Sequence, residues 1–185
     1  MVTISPSPLL VSLDRAVLSL LSTTKAHYEA LRGDARREAG LALQALGMDV
    51  RVMGWSRRTS LAVDQQWAGG VWDWDEIMRR YNDIKRLDVA VWARDERLVM
   101  VSLATMTRAA ITVRYVQGDP REGCEFKGKR IPMALEAATR FAQKSGVPEL
   151  RIQPINDALV HLYETHYGFT LVTPRGEAPY WSRVI

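Results

Sequence analysis

Between Leu87 and Val116 the chain drops helical spacing for three apolar runs in close succession, and this constrains the fold more than any other feature. "LDVAVWA", "LVMVSLATM" and "AAITVRYV" are rich in β-branched residues and are separated only by "RDER" and by a turn near Thr107-Arg108. Connections this short join antiparallel neighbours, because a parallel pair needs a crossover of a dozen residues or more. A three-stranded meander is therefore expected at the centre of the chain.

Helix-like periodicity surrounds it. The first 47 or so residues carry Leu10, Leu13, Val17, Leu20 and Leu21 at helical spacing, with Ser12 placed to cap the start. Gly33-Asp34 is expected to divide this region into two helices, the second being "DARREAGLALQALG" and ending at Gly47. "DVRVMGW" alternates as a short strand, with Val50 and Val52 on one side and Arg51 and Met53 on the other. A loop rich in Gly and Trp, "QQWAGGVWDWDE", leads to a helix capped by Asp73 or Asp75, with Ile77, Met78, Tyr81, Ile84 and Lys85 spaced for one face.

After the meander, "QGDPREGCE" reads as a loop and helix signals return at Ile131. Ala134, Leu135, Ala138, Phe141 and Ala142 form an apolar stripe, stopped by Gly146 and Pro148. "ELRIQPI" is a strand, "DALVHLYETH" a helix opened by Asn156-Asp157, and "FTLVT" and "PYWSRVI" a closing pair of strands around "PRGEA". The order gives an α/β fold of the α+β kind, a mixed and mostly antiparallel sheet flanked by helices. Residues 1–47 would be a helical extension and residues 48–185 the main domain.

Composition narrows the function classes. Apolar residues make up 47% of the 185 and charged ones 25%, an ordinary globular balance. No apolar run approaches the ~18 residues of a bilayer span, and "MVTISPSPLLVSLDR" lacks the basic start of a secretory signal. The single cysteine, Cys124, fits a reducing cytosol, so a cytoplasmic protein is expected. His27, His161 and His166 lack metal-ligand spacing, so no metal is expected. A net charge of +4, spread over pairs such as Arg36-Arg37, Arg79-Arg80 and Lys85-Arg86, fits solvated helix faces or an anionic ligand equally.

The carboxyl-terminal part resembles a known family. The strands "RLVMVSLATM" and "ITVRYV", a loop-to-helix turn, then "LRIQPINDALVHLYETHYGFTLV" and an aromatic closing strand are similar to the GNAT acyl-CoA-dependent N-acetyltransferases. The likeness covers about residues 48–185 and is most specific at "NDALVHLYETHYGF". Asn156 and Tyr163 are seven apart, so they share a helix face, and a helix start beside a strand end is where open α/β sheets place ligands. The resemblance implies that Tyr163 protonates the departing CoA thiolate and that Asn156 helps to hold the cofactor. It also implies that "ITVRYV" splays from "LRIQPI", letting backbone near Val113, Tyr115 and Val116 pair with the pantetheine arm.

The family's phosphate turn is Q/R-x-x-G-x-G/A, whose bare amides cradle a pyrophosphate before a helix N-terminus. Here Lys127 stands for the Gln or Arg, Arg130 for the first glycine and Pro132 for the last small residue. Arg130 brings a Cβ where backbone should approach phosphate, and Pro132 removes a donor. Lys127, Lys129 and Arg130 add three cations in return, and Gly128, Ile131 and the amides of Met133, Ala134 and Leu135 complete the expected anion site.

On the acceptor side Glu125, Asp119, Glu164 and His161 are candidate bases by residue type, and Trp67, Trp72 and Trp74 fall where the family lines its acceptor pocket. The implied activity is transfer of acetyl from acetyl-CoA to an amine by direct attack in a ternary complex. The acceptor would be a protein lysine or N-terminus, a small amine or an aminoacyl-tRNA. The alternative is a GNAT-like domain without catalysis that serves as a binding module, with the N-terminal helices joining a second copy or a partner protein.

Overall fold

The computed structural model describes residues 8–67, 72–153 and 157–185, with backbone alone at 8–19, 157 and 158. In chain order these form α1 (Pro8–Ala45), β1 (Val50–Met53), α2 (Arg57–Gln66), α3 (Trp74–Arg80), β2 (Leu87–Ala93) and β3 (Leu98–Met106). There follow β4 (Ala110–Gly118), α4 (Arg130–Ser145), β5 (Glu149–Ile152), α5 (Asp157–Tyr167), β6 (Thr170–Val172) and β7 (Tyr180–Val184). The strands make one seven-stranded sheet ordered β1-β2-β3-β4-β5-β7-β6. Every pair is antiparallel except β4 with β5, which α4 connects as a crossover. The mixed, mostly antiparallel sheet and its flanking helices are those expected from the sequence.

Strands β2 and β3 are apolar almost throughout because both sheet faces are covered. One face carries α1, α4 and Tyr163 of α5, with Val89, Val91, Met100, Phe141 and Leu150 among its buried residues. The other carries α2 and α3, with Trp67, Trp74, Trp92 and Leu103 buried beneath them. β1 alternates as predicted, Val50 inward and Arg51 and Met53 outward. The α4 stripe is buried at all five expected positions, and Gly146 ends the helix at φ 65°, a left-handed cap suited to glycine.

Four expectations need correction. Residues Pro8–Ala45 form one helix, not two divided at Gly33-Asp34. A mid-helix glycine costs about 1 kcal/mol, and tertiary contacts around Gly33 offset it. Arg32 donates to the carbonyls of Ile84 and Arg86, Arg36 binds Asp88, and Ala35, Ala39 and Leu43 are fully buried one turn apart. The segment Arg57–Gln66 is a helix where no element was expected; Ser56 caps it by accepting from the Thr59 amide. The helix capped by Asp73 stops at Arg80, because Asp83 turns the chain by accepting from the Lys85 amide, leaving Ile84 outside it. Finally, Gln117 and Gly118 extend β4 rather than start a loop.

Candidate active site

The feature that sets the site is where β4 and β5 part. Their parallel pairing runs from Ala110↔Glu149 to Val113↔Ile152 and ends there. β5 stops, while β4 continues to Gly118 paired only with β3. Beyond Val113 the β4 backbone groups on the β5 side therefore have no ladder partner among the described strands. At the parting point Leu103 pairs with Tyr115 and Ala104 with Val113, so Arg114 is an extra, bulged residue. A bulge bends its strand and adds twist, and this one falls where the pairing of β4 with β5 ends.

The gap holds a cleft of about 90 Å³. Val113, Tyr115 and Val116 form one wall, Ile152, Gln153, Leu159 and Tyr163 the other, and Ile131 and Trp72 also line it. The splay and the three β4 positions singled out in the sequence thus meet at one place with Tyr163. Asn156 lies outside the described residues.

Tyr163 is almost wholly buried, packed against Phe169 and Tyr167. Burial pushes its phenol up to about 12, so the hydroxyl stays protonated at any physiological pH. Tyr163 lines the cleft, and a protonated phenol is able to donate a hydrogen bond.

The turn expected to hold phosphate is built differently from that expectation. Phe126 and Cys124 are buried in the main core and pin the loop. Gly128 sits at φ 86°, a conformation costly for any other residue. Lys127, Gly128 and Lys129 are exposed, and Lys129 faces a separate hollow beside Asp49 and Ala93. The Arg130 side chain folds back across Gly118, where its NH2 group donates to the Asp119 carbonyl. A Cβ on residue 118 would collide with the Arg130 Cδ and Nε, so glycine there is what admits the arginine. Of this turn only Ile131 lines the cleft.

The donor set also needs correction. The Met133 amide donates to the Lys129 carbonyl, closing the first intrahelical bond, and Ala134 and Leu135 lie deeper in the helix. With Pro132 lacking an N–H, the helix tip offers the amides of Arg130 and Ile131 alone.

None of the four base candidates lines the cleft. Asp119 is fully buried and held by Arg121, whose backbone and side-chain donors keep its carboxyl below the usual range despite burial. Glu125 binds Arg97, Glu164 accepts from the Trp181 indole, and His161 lies exposed beside Thr165. Of the tryptophans, Trp67 and Trp74 are core residues, their indoles bonded to the Leu98 carbonyl and the Gln117 side chain. Trp72 lies edge-on to Tyr115 with ring centres 4.9 Å apart and is the one that reaches the cleft. The Tyr115 hydroxyl is 3.4 Å from that of Tyr81; this hydrogen bond and partial burial raise its pKa.

Among the described residues no helix is long and apolar enough to cross a membrane, and no group of three or more His, Cys, Asp or Glu is placed to hold a metal.

Sequence comparison finds no matching family model and no matching curated protein. Comparison of folds finds many solved acetyltransferases. The ribosomal-protein-S18-alanine N-acetyltransferase of Escherichia coli aligns at TM-score 0.55 with 16% identity, covering 74% of this chain and 94% of that one. The spermidine N-acetyltransferase SpeG of Vibrio cholerae, as a point mutant, aligns at 0.52 with 14% identity, over 74% and 94% of the two chains. The PaiA N-acetyltransferase of Thermoplasma acidophilum, solved with coenzyme A, aligns at 0.50 with 16% identity, over 75% and 100%. The seven-stranded sheet that opens between its fourth and fifth strands is the GNAT fold.

Proposed function

We propose that the chain is an acetyl-CoA-dependent N-acetyltransferase acting by direct attack in a ternary complex. One observation carries this reading: β4 and β5 part at Val113/Ile152, and Tyr163 lines the gap between them. A strand edge with unpaired backbone amides and carbonyls, walled by Val113, Val116 and Ile152, suits a thin, amide-bearing arm such as pantetheine. The acetyl-CoA diphosphate lies against the Arg130 and Ile131 amides at the positive end of α4, with Lys127, Gly128 and Lys129 on its outer side. Asn156, the residue before α5 in sequence, is assigned to the cofactor by the resemblance alone.

The amine nitrogen bonds to the thioester carbon, the C–S bond breaks, and the amine's surplus proton leaves as the thiolate acquires one. Oriented β4 donors near Tyr115 and Val116 stabilise the charge on the carbonyl oxygen. Complete proton transfer from a phenol near 12 to a thiolate whose thiol has a pKa of about 8.5 is uphill by roughly 5 kcal/mol. Tyr163 therefore lowers the barrier by hydrogen-bonding the emerging sulfur, and the proton that neutralises it comes from the far more acidic amine adduct or from solvent.

The second reading, a binding module without catalysis, is favoured by the turn: Arg130 occupies the space over Gly118, and the tip keeps two amides. Thermal unfolding with acetyl-CoA separates the two. At a hundred times Kd the ligand adds about 2.7 kcal/mol and several degrees to the melting temperature. Tyr163→Phe should keep that shift and lose at least tenfold in turnover. Absence of any shift at millimolar acetyl-CoA would leave the binding module.

A further inference from the structure

Next to the cleft lies a larger hollow that the transfer reading leaves without a role. It measures about 420 Å³ and is lined by Arg79, Arg80, Tyr81, Asp83, Arg86 and Thr105 among others. The two spaces share a wall. Tyr81 belongs to the hollow and Tyr115 to the cleft, with ring centres 5.7 Å apart and hydroxyls 3.4 Å apart. Thr105 of the hollow likewise accepts, at 3.1 Å, from the Nε of Arg114, which lines the cleft.

The charge in this place is one-sided. Three arginines line the hollow against the single carboxylate of Asp83, a net +2, and Arg114 stands beside it. Arg79 pairs with Glu76 on the same helix, and Arg86 is tied to Asp88 and to the carbonyls of Met78 and Tyr81. Arg80 and Arg114, in contrast, have no carboxylate within ion-pair distance among the described residues. Basic residues in the last turn of a helix are partly accounted for by its dipole. That argument covers Arg79 and Arg80 on α3 but not Arg114, which comes from the bulge in β4 and faces the same wall.

We propose that this hollow is the anion end of the acceptor site: the acceptor is an amine that also carries a carboxylate or a phosphate. The anion sits with Arg80 and Arg114, and the amine reaches past the Tyr81–Tyr115 pair into the cleft. The inference rests on the acetyltransferase reading for the fate of the amine, while the anion preference stands on the charge of the hollow and of Arg114 beside it. A polyamine, all cation, would meet repulsion in it.

The test is binding of matched amines to the full chain in the presence of coenzyme A, followed by tryptophan fluorescence, since Trp72 and Trp74 both touch Tyr115. Phenylalanine is compared with phenethylamine, O-phosphoethanolamine with ethanolamine, and spermidine is run beside them. The anionic member of at least one pair should bind tenfold or more tightly than its neutral-tailed counterpart, and which pair does so distinguishes a carboxylate from a phosphate. The double variant Arg80→Gln, Arg114→Gln should erase the preference, whereas Arg94→Gln, beyond the opposite end of β2 from Arg86 and paired with Asp49, should keep it. Equal affinity within both pairs, tighter spermidine, or no binding by any probe would overturn the proposal. Anionic amines that bind but are never acetylated would sink the transferase reading and leave only the anion preference of the hollow.

Discussion

The two ends of the site have fared differently. At the cleft, the β4 wall is made of backbone and register: the pairing stops at Val113/Ile152, Arg114 bulges, and the side chains lining the wall matter mainly for their shape. At the turn, the proposed anion cradle would rest on the absence of side chains, and Arg130 and Pro132 stand where a bare loop would supply open backbone and an N–H. A wall set by strand pairing tolerates sequence drift because its shape is held by the whole sheet. A cradle set by missing atoms does not, since one added Cβ or one lost N–H changes it directly. Position in the chain says the two belong together; chemistry says they are not equally fit.

The largest effect that bears on this contrast is on the body of α4, which holds both ends in place. Phe141 is fully buried, so Phe141→Ala should cost about 3–5 kcal/mol in a denaturant titration. A cost below about 1 kcal/mol would mean that α4 is not seated as described. Next comes the cleft itself. Val116→Trp fills it from a half-buried position, so the melting shift of about 2.7 kcal/mol given by acetyl-CoA at a hundred times Kd should vanish while the unliganded melt stays close to wild type. A retained shift would move the cofactor elsewhere.

Third is the alkaline limb of stability. The Tyr163 phenol is pushed up to about 12 by burial, so above about pH 10 the unfolded chain loses this proton first and the fold is progressively disfavoured. The loss amounts to about 2 kcal/mol by about pH 12 and is absent below about pH 9. Tyr163→Phe should make that limb shallower, leaving the part that Tyr115 and Tyr167 contribute; an unchanged slope would show the phenol to be less buried than it is here. The smallest effect tests the turn. Pro132→Ala returns one N–H to the helix tip, and a net hydrogen bond of about 0.5–1.5 kcal/mol should tighten acetyl-CoA twofold to tenfold. Unchanged affinity would place the diphosphate away from α4.

How much of this was legible in the sequence depended on whether the signal was local. Short turns and apolar runs declared β2, β3 and β4, and the α4 stripe with its Gly146 stop needed no tertiary knowledge. Residues Arg57–Gln66 stayed hidden because they bury only Thr59, Ala62 and Val63, too thin a stripe to register; the Ser56 cap was the one available sign. Gly33 misled for the opposite reason, its local cost being overridden by contacts of Arg32, Arg36 and Ala39 with distant residues. At the site, Val113, Tyr115, Val116 and Tyr163 were found through resemblance. Arg114, Ile152, Gln153 and Leu159 were missed, since a bulged arginine between Val113 and Tyr115 looks like any outward strand residue. The fold-back of Arg130 onto Gly118 and Asp119 joins residues eleven and more apart through a loop of no fixed period, so no spacing rule announces it.

The unbroken first helix has a consequence for how the chain comes off the ribosome. Its inward residues Ala35, Ala39 and Leu43 lie in the core that α4 completes, and about 85 further residues must be made between the end of one helix and the start of the other. Until then Ala35, Ala39 and Leu43 wait without the helix that covers them in the finished fold. Nascent copies crowded on one message are therefore most prone to stick together in that interval, and slowing translation before residue 130 should lower the yield of native protein more than an equal pause after residue 145.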